Sequence, residues 1–322
     1  MHAVRIHRFG DASVLRYEEV PDLKPQPGEV RVAVKAASIN HGDLARRHGN
    51  YPGEVAFPFT LGFEVAGIID RVGDGVDVGR VGQRVAALAA HGAYAEQLVT
   101  PALAAVPIPD NLDFDSAASI PVVFLCAWHG LLTIAKVQAN EWVLVHAGAS
   151  GVGMAGIQVA KQRGARVIAT ASTSAKREFA RRLGADATIN YSEQDFVEEA
   201  WRITEGAGVD VVFESVGGDV FEQSLEVLRL NGRLVAVGNT VGKTATVDPT
   251  ALFRGNLSIH GLYLVPWVMT GEAWPVLAEL IQLVTSGKFR VVIDRRFPLA
   301  EAAEAHRYLE QRKNLGKVVL RP

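Results

Sequence analysis

The sequence predicts an α/β protein in which a doubly wound parallel sheet accompanies a second, β-rich domain. Three observations support this class. Near residue 121 the apolar pattern changes from short strands separated by Gly and Pro to alternating helices and strands. Inside the alternating part, a strand, a glycine cluster and a helix follow one another. The C-terminal tail returns to a mixed pattern, which predicts that the alternating part is inserted into the other domain.

The elements follow from the local apolar period. In the first part, apolar β-formers alternate or cluster between turn residues. The predicted strands there are "AVRIHRFG", "EVRVAVKAASIN", "EVAGIIDRVG" and "QRVAALAA". In the middle, "PVVFLCAWHGLLTIAK" is predicted to be a helix. Strands are predicted at "EWVLVHA", "ARVIATA", "DATIN", "VDVVFESV" and "GRLVAVG", with helices between them. Alternation of this kind implies parallel strands joined by right-handed crossovers.

The tail carries two helices and two strands by the same reasoning. They are "AWPVLAELIQLVTSG", "FRVVIDRRFP", "LAEAAEAHRYLEQRK" and "GKVVLRP". We therefore expect one discontinuous domain formed by residues 1–121 and 266–322. The expected dinucleotide-binding domain comprises residues 122–265.

Composition restricts the function classes. The chain has 322 residues, of which 48% are apolar and 21% charged, and its net charge is −2. Neither nucleic acid nor an anionic membrane is an expected partner, since both call for a basic excess. No apolar run approaches the length of a membrane span. The single cysteine excludes a disulfide framework within the chain, and the expected location is the reducing cytoplasm.

The glycine cluster fits the dinucleotide-binding fingerprint. Gly151, Gly153 and Gly156 form G-x-G-x-x-G after an apolar strand and at the start of a helical pattern. We expect Gly151 to permit a tight turn, Gly153 to let the backbone approach a pyrophosphate, and Gly156 to let helix and strand pack closely. The alternative is a strand-to-helix turn that is merely rich in glycine. The helix after the glycines and the second strand complete a βαβ unit, which favours the dinucleotide.

The end of the second strand favours NADPH over NADH. An NAD site usually has an acidic residue there, to bind the ribose 2′-hydroxyl. This strand ends at Ala171 without a carboxylate, which removes a like-charge penalty against a 2′-phosphate. Ser172, Thr173 and Ser174 can donate hydrogen bonds to a phosphate, and Lys176 adds a positive charge. The alternatives are that Ser174 is a helix N-cap and that Lys176 is a solvated surface residue.

The chain resembles the zinc-free quinone oxidoreductase (zeta-crystallin-like) branch of the medium-chain dehydrogenase/reductase superfamily. The resemblance rests on "SINHGDLARRHGNYP", "LGFEVAGIIDRVGDGV", "VHAGASGVG", "GADATINYSEQDF", "VDVVFESVGG", "GRLVAVGN" and "LEQRKNLGKVVLRP". It implies a GroES-like β domain, a Rossmann domain and an active site in the cleft between them. It also implies a homodimer formed through the Rossmann domains, for which "NLSIHGLYLV" is the candidate edge strand.

The resemblance also predicts that no metal is bound. The three positions of the catalytic zinc ligands fall at Asn40, Phe63 and near Val122, and the lobe with the structural zinc cysteines is missing. Phe and Val side chains cannot bind zinc. The remaining histidines show no metal-ligand spacing. Without a Lewis acid, hydride transfer is expected to electron-poor acceptors, on whose oxygen charge develops that hydrogen bonds can stabilise.

The resemblance implies two catalytic residues. Tyr51 matches a tyrosine near the nicotinamide and substrate, and it could donate to the acceptor oxygen; the alternative is a turn aromatic packed on Pro52. Asn40 is expected to be a polar group near the substrate. Asp43 and Glu64 are expected to be structural.

The resemblance also implies a set of cofactor contacts. Cys126 is expected to lie near the nicotinamide, or else to be a small buried apolar residue. Asn314 and Lys317 are expected to close on the cofactor, or else to be exposed. Tyr191 is expected near the 2′-phosphate, or else to be a strand-end tyrosine. The remaining candidates are Ser150, Gly151, Val152, Gly153, Ser172, Thr173, Lys176, Ser215, Gly238, Asn239, Leu262, Tyr263 and Leu264.

The predicted function is NADPH-dependent, zinc-independent reduction of a small quinone or activated alkene (an α,β-unsaturated carbonyl). The sequence leaves two alternatives open. One is an enoyl-thioester reductase, and the other is a protein that binds NADPH without catalysis, such as a crystallin or a redox sensor.

Overall fold

The structure, a computed structural model, describes residues 1–322 and contains two compact units. The first unit comprises Met1–Val122 and Trp267–Pro322, and the second comprises Val123–Pro266. Each division lies one residue from the boundary expected from the sequence.

The N-terminal part of the first unit consists mainly of strands. Its strands are β1 (His2–Ile6), β2 (Arg16–Glu19), β3 (Glu29–Ile39), β4 (Phe59–Thr60), β5 (Glu64–Val72), β6 (Arg84–Leu88), β7 (Gln97–Pro101) and β8 (Ala105–Pro107). Its two helices are α1 (His41–His48) and α2 (Phe114–Ala118). Helix α1 was not predicted, because its eight residues lie among strands.

The second unit alternates strands and helices. Helix α3 (Pro121–Trp128) leads into it and continues as a π-helical segment, His129–Ile134. The strands are β9 (Trp142–Val145), β10 (Arg166–Ala171), β11 (Ala187–Asn190), β12 (Val209–Glu214), β13 (Leu228–Ala236) and β14 (Ser258–Gly261). The helices are α4 (Gly151–Gln162), α5 (Ser174–Arg182), α6 (Phe196–Ile203), α7 (Asp219–Glu226) and α8 (Pro249–Gly255).

The C-terminal tail returns to the first unit. Its elements are α9 (Val265–Met269), α10 (Ala273–Thr285), β15 (Ile293–Pro298), α11 (Ala302–Glu310) and β16 (Lys317–Arg321). Strand β16 pairs antiparallel with β3, so the end of the chain enters the sheet formed by its beginning. The seven-stranded sheet has the order β15-β16-β3-β5-β6-β8, with β7 also paired to β3.

The second unit contains one parallel sheet of six strands in the order β11-β10-β9-β12-β13-β14. Its neighbouring strands are parallel at every pairing. This is the order of a Rossmann fold, in which the chain reverses direction across the sheet next to its first strand. Strand β12 is buried at every residue, as expected for a central strand covered by helices on both faces. Strand β14 forms an edge of the sheet and has no buried residue.

Candidate functional site

The turn between β9 and α4 positions the start of the helix. The residue of this turn with a left-handed backbone is Ala147, whose φ is +49°, and Gly151 does not have a positive φ. The expectation that Gly151 makes the tight turn is therefore wrong. Ser150 is the N-cap of α4, and its hydroxyl accepts a hydrogen bond from the Gly153 N–H at 3.0 Å. The N–H groups of Gly151 and Val152 begin the helix and have no helical carbonyl to bond, as an anion site requires.

Two glycines of the cluster are required by close packing within the unit. A Cβ at Gly153 would lie 2.2 Å from the carbonyl oxygen of Ala147. A Cβ at Gly156 would lie 3.0 Å from the ring of Phe213 on β12. Gly156 thus lets α4 pack on the sheet, as expected. Gly153 lets the first turn of α4 lie directly on the preceding loop, a constraint that the sequence did not show.

The carboxyl end of β10 presents polar groups without a carboxylate. Ala171, its last residue, is 2% exposed, and Ser172 follows it. Thr173 is the N-cap of α5, because its hydroxyl accepts from the Lys176 N–H at 3.3 Å; the alternative drawn from the sequence had placed the cap at Ser174. The first turn of α5 has no acidic residue. This end of the sheet therefore suits an anion.

Arg177 adds a second cation to this turn, and sequence reasoning missed it. Its Nη2 atom donates to the Ser174 Oγ atom at 3.3 Å. Its position one residue after Lys176, beside a first helical turn that contains no acidic residue, was the available signal. Ala171 pairs in register with Asn190 of β11, so Tyr191, which is 45% exposed, follows at the same end of the sheet.

The remaining candidates in this unit follow other strands of the sheet. Glu214 at the end of β12 pairs with Ala236 of β13, so Ser215 and the pair Gly238 and Asn239 follow neighbouring strand ends. The Leu262 N–H donates to the Ala236 carbonyl at 2.9 Å, which extends β14 toward Tyr263 and Leu264. Parallel strands end at one edge, and dinucleotides bind at that edge in such sheets. The half-buried Cys126 lies on α3.

A buried histidine joins three elements behind the turn. The His146 Nε2 atom lies 2.9 Å from the Ser224 hydroxyl, which itself donates to the Val220 carbonyl. The Nε2 atom must therefore carry the proton. The Nδ1 atom then accepts from the Thr170 hydroxyl at 3.1 Å. Burial lowers the pKa of His146 to about 4, so the ring is neutral at neutral pH.

This histidine predicts acid sensitivity of the second unit. The unfolded chain protonates His146 below its ordinary pKa of 6.5, and the folded chain does so only near 4. The contribution of His146 to the free energy of unfolding is therefore complete above pH 6.5 and is lost as the pH falls from 6.5 to about 4. The loss is about 3 kcal/mol, since each pH unit corresponds to about 1.4 kcal/mol. Asp43, whose pKa burial raises to about 7, contributes a slope of opposite sign.

The measurement is denaturant unfolding of the protein and of His146→Asn between pH 4 and 8. Comparing the two cancels the contributions of Asp43 and other groups. The variant should be less stable at neutral pH, and its stability should decline less steeply in acid. Equal slopes would contradict the assignment.

In the first unit, Asn40 lies at the junction of β3 and α1. It is 8% exposed. Its Nδ2 atom donates to the Glu64 Oε1 atom at 2.8 Å, and its Oδ1 atom accepts from the Lys317 Nζ atom at 2.6 Å. Its backbone N–H donates to the Asp43 carboxylate at 2.8 Å, the acid being the third residue of α1. This spacing is half of a capping box, and it was the sequence signal for α1.

Lys317 does not have the predicted cofactor role in this structure. It is 2% exposed, and its ammonium donates to Asn40, to the Ile39 carbonyl and to Glu64. An ammonium has three N–H donors, so none remains for a phosphate. Asn314 is also buried, and its amide donates to the Gly316 carbonyl. The sequence could not show that β16 pairs with β3, which brings Lys317 to Asn40.

A second buried chain supports Asp43. Arg47 can only donate, so its bond of 3.0 Å to the His306 Nδ1 atom makes that atom an acceptor. The His306 Nε2–H then donates to the Tyr94 oxygen at 3.1 Å. The Tyr94 hydroxyl in turn faces the carboxylate of Asp43 and opposes the rise that burial causes in its pKa. All four side chains are fully buried. Asn40 is therefore held by Asp43 through its backbone and by Lys317 and Glu64 through its side chain.

Tyr51 belongs to an aromatic group around one guanidinium. Its ring lies 5.3 Å from that of Phe63. The Arg46 guanidinium lies 4.5 Å from the Tyr51 ring, 5.3 Å from the Phe63 ring and 5.6 Å from the Phe59 ring. Contacts at these distances are cation–π interactions. They hold the Tyr51 ring between the Arg46 guanidinium and the Phe63 ring.

The three positions assigned to zinc ligands have other partners. Asn40 binds Lys317 and Glu64, and the Phe63 ring packs on Tyr51 and Arg46. The Val122 N–H donates to the Glu64 Oε2 atom at 2.7 Å. The structure contains no group of three or more His, Cys, Asp or Glu side chains that could hold a metal ion. None of its helices is long and apolar enough to cross a membrane.

Comparison with known proteins decides the family. The alcohol dehydrogenase GroES-like domain matches residues 26–110, and the zinc-binding dehydrogenase family matches residues 183–320. A quinone oxidoreductase of Pseudomonas aeruginosa is 36% identical over 322 residues, which cover 99% of both chains. The chain belongs to the quinone oxidoreductase branch of the medium-chain dehydrogenase/reductase superfamily. The resemblance drawn from the sequence and the predicted fold class are thereby confirmed.

Two further similarities extend over whole chains of this superfamily. The 2-haloacrylate reductase of a Burkholderia species is 35% identical over 335 residues, covering 99% of this chain and 98% of that one. The crystal structure of Escherichia coli quinone oxidoreductase complexed with NADPH superposes with a TM-score of 0.94 at 35% identity, over 100% of both chains. The expectation of an oxidoreductase is confirmed at this level.

The chain also matches much longer proteins. A phenolphthiocerol/phthiocerol polyketide synthase subunit of Mycobacterium tuberculosis is 35% identical over 319 residues. These residues are 98% of this chain and 14% of the synthase subunit, so the chain spans about a seventh of that relative.

Proposed function

We propose that the chain is an NADPH-dependent, zinc-independent reductase of small quinones or activated alkenes. The observation that carries the proposal is the carboxyl edge of the Rossmann sheet, where a free helix start adjoins a strand end that has cations and no carboxylate. The relatives of the same length are named quinone oxidoreductase and 2-haloacrylate reductase. Both names describe reduction of electron-poor acceptors.

The residues at this edge fit NADPH. The Gly151 and Val152 N–H groups at the start of α4 are suited to the pyrophosphate, with Ser150 and Gly153 shaping the turn. Ser172, Thr173, Lys176 and Arg177 are suited to the 2′-phosphate, and Tyr191 follows the neighbouring strand end. The contacts with the rest of the cofactor are proposed to come from Cys126, Ser215, Gly238, Asn239, Leu262, Tyr263 and Leu264. When bound, NADPH supplies the hydride.

Tyr51 and Asn40 are proposed to act on the acceptor. Reduction of a quinone or an enone moves an electron pair onto the acceptor oxygen. The Tyr51 hydroxyl and the second N–H of the Asn40 amide are donors of the kind that stabilise such charge. The ring contacts of Tyr51 fix its direction, and the bonds of Asn40 to Glu64 and Lys317 fix its amide.

Zinc independence is tested by metal removal. We expect protein that has been treated with a chelator and dialysed to retain full turnover with a quinone, because Phe63 and Val122 cannot bind zinc. Metal analysis of the purified protein checks the same point. Stoichiometric zinc, or loss of turnover that added zinc restores, would contradict the proposal.

The two alternatives predict different acceptor profiles. An enoyl-thioester reductase should prefer crotonyl thioesters to quinones and alkenals. A protein that only binds NADPH should not oxidise it, whichever acceptor of the panel is added. The whole-length relatives favour the quinone and activated-alkene class over the thioester class. One panel containing 1,2-quinones, 1,4-quinones, alkenals and crotonyl thioesters separates the three.

The same branch membership leads us to propose a homodimer through β14. This edge strand has unpaired backbone groups along one side. Phe253 on α8, the helix directly before β14 in the chain, is 69% exposed, and Tyr263 just beyond β14 is 45% exposed. Such apolar exposure is typical of an interface.

The single cysteine fits the proposed cytoplasmic location.

Substitution of Phe253 by Glu tests the dimer. We expect sedimentation velocity to show a dimer for the protein and a shift toward monomer for Phe253→Glu, because the new charge would be buried in the interface. Val78→Glu is the control, since Val78 is 74% exposed in the other unit. A monomer before any substitution would rule out the proposed dimer.

A further inference from the structure

Lys317 and Glu64 form a buried ion pair whose shared partner is Asn40. The Lys317 Nζ atom lies 3.1 Å from the Glu64 Oε1 atom, and the two residues are 2% and 0% exposed. Their charges are costly to bury, so the pair needs further hydrogen bonds. The Asn40 amide supplies them, with its oxygen on the ammonium and its nitrogen on the carboxylate.

These contacts determine which way the Asn40 amide points. An ammonium can only donate hydrogen bonds, so the Asn40 amide oxygen must face Lys317. An ionised carboxylate can only accept them, so the Asn40 amide nitrogen must face Glu64. One of the two N–H groups is used by Glu64, and the second remains on a side chain that is 8% exposed. The pair thus aims a single N–H donor.

The ammonium also changes the strength of that donor. A hydrogen bond of 2.6 Å from a cation draws electron density toward the amide oxygen of Asn40. Hydrogen bonds in a chain polarise one another, more so in a buried site. The remaining N–H is therefore a better donor to a developing negative charge than it would be without the Lys317 ammonium.

We propose that Lys317 and Glu64 are positioning residues for the reduction, which aim the Asn40 amide and polarise it toward the acceptor oxygen. This inference rests on the proposed function, since it needs Asn40 to bind that oxygen. Lys317 and Glu64 touch no substrate themselves. Asn40 stands at a position where zinc enzymes of the superfamily have a metal ligand. Here the fixed Lys317 ammonium assists the Asn40 amide as a hydrogen-bond donor.

A purely structural role makes a different prediction. Lys317 on β16 and Glu64 on β5 flank β3, so the pair also joins three strands of one sheet. If joining strands were its only role, loss of the pair would lower stability and affect turnover independently of Asn40. The coupling between Lys317 and Asn40 in the hydride-transfer rate separates the two roles.

The experiment is a double-mutant cycle measured in single turnovers of bound NADPH with a 1,4-quinone. The variants are Lys317→Met, Asn40→Ala and their combination. Because Lys317→Met leaves the Glu64 charge buried and can prevent folding, Lys317→Met/Glu64→Gln is made as well, alone and with Asn40→Ala. Arg31→Met is the matched control, because Arg31 pairs with Asp70 and joins the same strands β3 and β5. Each variant's NADPH dissociation constant and thermal midpoint are measured alongside.

Removal of Lys317, or of both charges, should slow hydride transfer about tenfold, and Asn40→Ala should slow it about a hundredfold. In the Asn40→Ala background the same changes should cause no further loss, and NADPH affinity should stay constant throughout. Arg31→Met should lower only the thermal midpoint. If the losses multiply, or if the neutral double variant transfers hydride at the original rate, the inference is overturned.

The cycle also distinguishes failure of the inference from failure of the proposed function. If the unchanged protein reduces no acceptor, the proposed function fails. If it does so and Asn40→Ala is as fast, Asn40 has no catalytic role and the inference fails with it. A slow Asn40→Ala variant with multiplicative losses contradicts only the positioning role.

Discussion

Replacing Tyr51 by Phe is expected to lower kcat about a hundredfold without changing the dissociation constant of NADPH. The substitution removes one hydroxyl and keeps the ring, so the contacts with Phe63 and Arg46 remain. Loss of one donor to a developing oxyanion costs about a hundredfold or more in turnover when that donor acts in the transition state. Cofactor affinity is unaffected because the proposed NADPH contacts come from the Rossmann unit.

The measurement is steady-state kinetics with a quinone, together with a titration of NADPH. Tyr17→Phe is the matched control, since Tyr17 is 42% exposed and stacks on His2 in the same unit. The control should be indistinguishable from the unchanged protein. A Tyr51→Phe variant with undiminished kcat would remove Tyr51 from the mechanism.

Replacing Ser172 by Asp is expected to reverse the cofactor preference. The new carboxylate would follow β10, where an NAD site has its acid. It would repel a 2′-phosphate and could accept a hydrogen bond from a 2′-hydroxyl. Two like charges a few ångströms apart at a protein surface repel by several kcal/mol, so NADPH should bind roughly a hundredfold more weakly. NADH should bind at least as well as before.

Titration of both cofactors into the variant tests this expectation. Ser286→Asp is the matched control, because Ser286 is exposed at the end of α10 in the β-rich unit. It adds the same charge elsewhere and should leave both affinities unchanged. Equal weakening of NADPH and NADH by Ser172→Asp would mean that the residue affects the fold of the turn and not the 2′-phosphate.

The Rossmann unit was predictable because its signals are local. The apolar runs that became β9, β10 and β12 are short, bounded by turn residues and separated by helical patterns. The glycine cluster also lies where expected. Its turn chemistry was not predictable, since the left-handed residue is Ala147 and not a glycine. The constraint on Gly153 arises from the Ala147 carbonyl, which only the folded turn brings near.

The β-rich unit was less predictable because its contacts are distant in sequence. Lys317 and Asn40 are joined only through the pairing of β16 with β3, so the sequence predicted Lys317 to contact the cofactor or to be exposed. Helix α1 was not predicted because its eight residues lie among strands, although the spacing of Asn40 and Asp43 marks its start. The same spacing is a helix-start signal, and the structure shows that it is one.

Adding NADPH and, separately, NADH to the metal-free protein with each acceptor of the panel tests both the reaction class and the cofactor. We expect oxidation of NADPH by quinones or alkenals, a clear preference for NADPH over NADH, and slower reaction with crotonyl thioesters. No oxidation of NADPH with any acceptor would contradict the claim of a reductase, and preference for NADH would contradict the role assigned to the carboxyl end of β10.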